Sequence, residues 1–202
     1  MNVLPMLGTV LGLGFSSGLN LYATVLATGL AIRFHWLALP PALAPLQVLS
    51  DPVILAVAGV LYLVEFVADK VPVVDHVWDA VHTVVRPLGA ALIAWAALGY
   101  LDSRAAVILV LLAGGVSLTS HAGKAGARAI INASGGPLVG LNLGASVAED
   151  VFAFVLAPLS VAHPIVMLVV VLIGVVAIAG LLAWAVRGAR RLARRRANQA
   201  IP

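Results

Sequence analysis

The sequence predicts an all-α fold, a polytopic membrane bundle of about six transmembrane helices with one cytoplasmic amphipathic helix. Three observations predict it. Apolar residues make up 62% of the 202 residues and charged residues only 10%, and the mean hydropathy is +1.11. A soluble domain is nearer half apolar and a quarter charged. Apolar runs of the ~20 residues needed to cross hydrocarbon recur along the chain. Proline-rich or polar breaks separate them. The chain has no cysteine, which excludes disulfides and thiolate metal sites.

The spans follow in order. The first apolar run covers about residues 3–33 and is long enough to be bent or broken. "HWLALPPALAPLQVLSDP" (35–52) is a proline-rich connection, and the second span runs over about 53–70. The third covers about 87–101, a short span that extends back if the segment before it is helical; "LDSR" ends it. The fourth, about 104–131, ends at "NASGGP". The fifth covers about 138–158, and "SVAHP" separates it from the sixth, about 164–187. Residues 1–187 thus form one transmembrane domain, and 188–202 form a basic cytoplasmic tail.

Six of the twelve basic residues lie in "RGARRLARRR", from Arg187 to Arg196. The positive charge is therefore a property of the tail, and no nucleic-acid partner is implied. A basic cluster just after an apolar helix marks the cytoplasmic side. An even number of spans then places both termini there. Nothing at the N-terminus reads as a cleavable signal peptide.

The segment "ADKVPVVDHVWDAVHTVVRP" (68–87) is far more polar than its surroundings. Asp75, Asp79, His82 and Arg86 are spaced 4, 3 and 4 and share one helix face. They predict a cytoplasmic amphipathic helix, begun after Pro72 and stopped at Pro87.

Two internal similarities compete. "GLGFSS" (12–17) resembles "GVSLTS" (115–120), which pairs spans one and four and implies an inverted three-plus-three repeat, 3–101 and 104–187. Glu65 against Glu149, and Pro87 against Pro164, fit that register. "GLNLYAT" (18–24) resembles "GLNLGAS" (140–146), which pairs spans one and five instead.

Ionisable groups at bilayer depth cost several kcal/mol and mark functional sites by default. Glu65 and Asp69 lie one turn apart near the end of span two, with Lys70 beside them. His121, Lys124 and Arg128 form a stripe at i, i+3, i+7 on span four, and Glu149 and Asp150 sit on span five. With Asp75, Asp79 and Arg86 they are the candidate substrate or ion pathway. Ser17, Asn20, Ser120, Asn132, Ser134, Asn142 and Ser146 are candidate lining groups, because the Gly/Ser stretches near several of them weaken helices and expose backbone donors. The plain structural alternative pairs Lys124 and Arg128 with Glu149 and Asp150 to lock two spans together.

At "LYLVEFVADKVPVVDHVWDAVHTVVRP" and "KAGARAIINASGGP…SVAED" the chain resembles DUF4126, a bacterial membrane family of unknown function, over roughly residues 8–170. The matching residues are Glu65, Asp69, Lys70, Pro72, Asp75, Trp78, Asp79, Arg86 and Pro87, then Lys124, Arg128, Asn132, Ser134, Pro137, Ser146, Glu149 and Asp150. The resemblance implies that these polar residues belong to the family's pattern. It implies no activity.

The expected function is a small transporter or channel, with carboxylates facing cations available to take and release protons. The alternatives are a protein that holds a lipid headgroup, or a non-transporting scaffold or assembly factor. No HExxH, GxSxG or cysteine nucleophile argues for an enzyme, and no cofactor or metal is expected. The partners implied are the lipid bilayer and a small ion, an anion or a lipid headgroup. Gly-rich faces are compatible with a homo-oligomer.

Overall fold

Hydropathy alone would carry one helix unbroken from residue 3 to 33, but Asn20 divides it. The computed structural model describes residues 3–69, 71, 74–98, 102–133 and 139–199. Among them are α1 (Val3–Leu19), α2 (Leu21–Arg33), a 3-10 helix (Pro41–Ser50), α3 (Pro52–Ala68), α4 (Val74–Leu98), α5 (Ser103–Ala133), α6 (Val139–Ala162) and α7 (Pro164–Gln199). By length and composition four helices can cross a membrane, and a fifth span results if the 3-10 helix and α3, bent by 63°, count as one.

Asn20 is extended, with φ −154° and ψ 111°, and its Oδ1 accepts from the Ala23 amide at 2.9 Å, capping α2. The chain then folds back. Pro5, Met6 and Thr9, at the start of α1, line one small cavity with Pro40, Ala42 and Leu43. If α2 continued along α1, Arg33 would lie about 40 Å from Pro5 at 1.5 Å per residue, and the seven residues to Pro40 reach at most about 25 Å. So α1 and α2 are an antiparallel hairpin with Asn20 at the tip. This corrects the first expected span: neither half is longer than 17 residues.

Close contacts give the other directions. Gly8 approaches Pro164, Gly12 approaches Met167 and Gly14 approaches Ala113. Hence α1, α5 and α7 run parallel. Asn20 meets Asp150 while Gly12 meets Ser160, so α6 runs against α1. Thr83 and Arg86 meet His121 while Pro87 approaches Gly114, so α4 runs against α5 and therefore against α1. The hairpin enters from the end of the bundle where α7 begins, and its tip stops beside the middle of α4, α5 and α6. Val3 and Gln199 therefore lie at opposite ends of the bundle.

The parallel course of α1 and α5 also counts against the inverted repeat, which needs those two elements antiparallel. The matched segments 12–17 and 115–120 instead pack against each other: the Ser120 hydroxyl donates to the Phe15 carbonyl at 2.8 Å. The competing match, 18–24 with 140–146, lies mostly on α2 and α6, which run the same way.

A third correction concerns Pro87. It does not stop a helix; α4 continues from Val74 to Leu98 through it. A proline removes one intrahelical bond, here to the Thr83 carbonyl, and membrane helices tolerate that when neighbours support them. The expected amphipathic face therefore turns into the bundle, with His82 2% and Arg86 0% exposed. The outward face is apolar: Val77, Val81, Val84, Leu88 and Leu92 are exposed. Exposed Ile165, Val166, Val169, Leu172, Ile173 and Val176 make the same lipid-ready surface on α7.

Candidate functional site

The polar groups gather at the hairpin tip and in the half of the bundle beyond it, in two layers. Glu65 and Asp69 are four residues apart along α3 and its cap, which sets the layers about 6 Å apart along the axis.

The layer at the tip centres on Arg86. Its Nη2 donates to Glu65 Oε1 in an ion pair with both side chains fully buried. Its Nη1 donates to the Gly18 carbonyl at 3.0 Å and to His121 Nδ1 at 2.8 Å. The Gly18 carbonyl is free to accept because α1 ends at Leu19. Arginine has no acceptor, so Nδ1 of His121 accepts and the ring proton sits on Nε2. That Nε2–H faces Thr83 Oγ1 at 3.1 Å and the Asp79 carbonyl at 3.2 Å. His82 is held similarly. Its Nδ1 donates to the Trp78 carbonyl at 2.8 Å, leaving Nε2 to accept from the Tyr22 hydroxyl at 3.2 Å.

The outer layer centres on Asp69, just past the end of α3. Its Oδ2 accepts from Lys124 Nζ at 3.2 Å, Arg128 Nη2 at 3.1 Å and Ser146 Oγ at 3.3 Å. Glu149 Oε2 lies 3.2 Å from Lys124 Nζ and 3.0 Å from Arg128 Nη2. Asp79 Oδ2 lies 3.6 Å from Arg128 Nη1. The i, i+4 spacing that puts Lys124 and Arg128 on one face of α5 is what lets two carboxylates share both cations.

Asp150 stands apart. It does not pair with the basic stripe. Its Oδ1 accepts from Asn20 Nδ2 at 2.9 Å, and its Oδ2 is buried without a hydrogen bond among the described residues. Helix α6 explains the separation, since adjacent residues differ by about 100° around a helix. Glu149 faces α5 while Asp150 faces the hairpin tip.

The model of one family, Domain of unknown function (DUF4126), matches residues 7–187. The chain belongs to that family. No curated protein and no solved structure is detectably similar to it.

In this DUF4126 protein, Glu65, Asp69, Asp79, Arg86, His121, Lys124, Arg128, Glu149, Asp150, Asn20 and Ser146 all contribute to the two layers or the tip. Ser17 and Ser120 are buried but engaged elsewhere: Ser17 Oγ donates to the Leu13 carbonyl at 2.8 Å, and Ser120 ties α5 to α1. Lys70 and Ser134 lie outside the described residues, as do the side chains of Asp75, Asn132 and Asn142. Sequence reasoning leaves out Tyr22 and Thr83 and places His82 on a solvent face. The signal for His82 and Thr83 is their position on the Asp79–Arg86 stripe.

Chemically, the described side chains of the DUF4126 site offer carboxylates in excess. Glu65, Asp69, Asp79 and Glu149 face Arg86, Lys124 and Arg128, and Asp150 adds a fifth carboxylate at the hairpin tip. Glu65 Oε2, Asp69 Oδ1 and Asp79 Oδ1 are, like Asp150 Oδ2, buried without a hydrogen bond among the described residues. No three His, Asp or Glu side chains among those described converge as a metal site. An apolar groove of about 430 Å³ between α2, α3 and α4 is separate from the charges and touches the site only through Tyr22.

Proposed function

We propose that this protein is a small transporter or channel of the bacterial inner membrane, with its pathway running from the charged layers to the hairpin tip. The observation that carries the reading is the hairpin itself: a helix pair that stops halfway through the bundle, its broken backbone set among buried charges. Non-helical backbone at membrane depth is tolerated where protein buries it or where it borders an aqueous path, and transporters place substrate and ion sites at such breaks. At this tip the C-terminal end of α1 faces a cation, through Gly18 and Arg86, while the N-cap of α2 faces an anion, Asp150. Both arrangements complement the helix dipole.

The Arg-rich end of α7 lies at the same end of the bundle as the charged layers, so the charged half opens to the cytoplasm and the hairpin enters from outside. With the hairpin not crossing, the count is five spans instead of six, and the N-terminus is external.

The scaffold reading is weaker because the charges are not paired one to one. The headgroup reading is weaker because the apolar groove has no cationic wall; its lining is Leu, Val, Ile, Ala, Gly and Tyr22. The test is flux into proteoliposomes across a panel of inorganic cations and small anions, with Lys124→Ala and Glu149→Gln as controls. Flux above empty vesicles that both substitutions reduce is the expected result. No flux for any member of the panel, in wild type and variants alike, removes the reading for those solutes.

A further inference from the structure

We infer that the Asp150 carboxyl, at the tip of the α1–α2 hairpin, is a proton-binding site whose loading is relayed to the hairpin through Asn20. Its meaning as a coupling site rests on the transport reading; its existence does not.

Asp150 is 5% exposed. Its hydrogen bond is the one from Asn20 Nδ2 at 2.9 Å, and Oδ2 has none among the described residues. The surrounding groups can be named element by element. The hairpin presents Asn20. Helix α3 and its cap present Tyr62, Glu65 and Asp69, and α5 presents Lys124. Helix α1 has no titratable residue, and α7 has none before Arg187. The cation in reach, Lys124, is already held at 3.2 Å by both Asp69 and Glu149. Asp150 is thus a buried carboxylate whose charge no described side chain cancels, and lipid-depth burial makes that charge expensive. No set of three metal-ligating side chains stands around it among the described residues. The cation that fits is one needing a single lone pair, a proton.

The relay follows from what Asn20 does with its two ends. Its amide nitrogen holds Asp150 while its oxygen caps α2 at the Ala23 amide. When a proton from cytoplasmic water binds the carboxylate, an O–H bond forms and the negative charge disappears. The charge-assisted bond from Asn20 becomes a neutral one of about half the strength. The joint between α6 and the start of α2 loosens. Release of the proton to water restores it.

The test is infrared spectroscopy of the full-length protein in lipid vesicles, titrated across about pH 4 to 9, the carboxyl range with its buried tail. Wild type should show a protonated-carboxyl band that titrates. Asp150→Asn should lose that band, Asp150→Glu should keep a displaced one, and Glu149→Gln should leave it in place. Asn20→Ala removes a donor to the ionised form, so the midpoint should move about one to two pH units upward. If Asp150→Asn does not fold, the Asp150→Glu displacement and the Asn20→Ala shift decide. A band that survives in Asp150→Asn, a wild type without one, or an Asn20→Ala midpoint that stays put overturns the inference. Flux in the same vesicles answers the other question: its absence removes the transport reading, while the band still decides the proton site.

Discussion

Arg86 on α4 closes on Glu65 on α3 beside the hairpin tip, with neither side chain exposed. A buried pair gains little over apolar groups, but losing one partner strands the other charge and costs about 3–5 kcal/mol. Arg86 also holds the Gly18 carbonyl and His121, so Arg86→Met should cost more than Glu65→Gln. The double variant should be more stable than the sum of the two losses implies. Denaturant unfolding in detergent, run as a double-mutant cycle, measures this; additive losses would mean that the pair is not formed.

Asp69 and Glu149 both bind Lys124 and Arg128, yet they are not equivalent. Asp69 has its side chain 2% exposed and also accepts from Ser146, whereas Glu149 is 13% exposed. Asp69→Asn should therefore lower stability more than Glu149→Gln, but by less than the about 3–5 kcal/mol of a stranded buried charge, because Glu149 still holds both cations. Melting curves of the two purified variants make the comparison. Equal losses would show that both carboxylates meet the same environment.

The hairpin sets where the chain's ends lie. Because the protein has no cysteine, single cysteines report cleanly. Asp102→Cys, at the end of the bundle where α5 begins, and Val71→Cys, just past α3, should react with a membrane-impermeant thiol reagent from opposite sides. A reporter at the N-terminus should label with Asp102→Cys, and one at the C-terminus with Val71→Cys. Both termini labelling from one side would replace the hairpin by a full span.

Gly18 is where α1 comes very close to α5. A Cβ there would overlap Ser120 Oγ and the Ser117 carbonyl, and the carbonyl cannot rotate away. Overpacking of this kind costs about 1–3 kcal/mol. Gly18→Ala should fall in that range and Gly18→Val above it. Gly144, with nothing near its Cβ position, is the matched control. Size-exclusion profiles and melting temperatures separate the two cases.

The outer charged layer was legible in the sequence because the cost of charge in lipid singles out its residues, and helical spacing puts Lys124 and Arg128 on one face. The partner of Asp150 was not, since adjacency to Glu149 says nothing about which neighbour each residue faces. The fold-back at Asn20 is hidden for a similar reason. Hydropathy reports length but not direction: the length of the run and the Gly/Ser stretch before Asn20 allow a break there, but do not say which way the chain goes on. Pro87 misleads because the rule that proline ends helices comes from water, where no neighbouring helix supports the gap. With α4 continuing through it, the face that reads as wetted has to turn inward, bringing His82 and Arg86 with it.

Helix α7 runs without a break for 36 residues, about 54 Å at 1.5 Å per residue, and its described arginines, Arg187, Arg190 and Arg191, are exposed. A hydrocarbon core accounts for about 30 Å of that length. The remainder is a stiff mast rather than a loose strand. In an anionic bilayer, guanidinium groups mounted on it would stand at rising heights above the headgroups, and their attraction to lipid would weaken rung by rung within a screening length of about 8–10 Å. Of the three, Arg187 would then be the mooring and Arg191 the weakest hold.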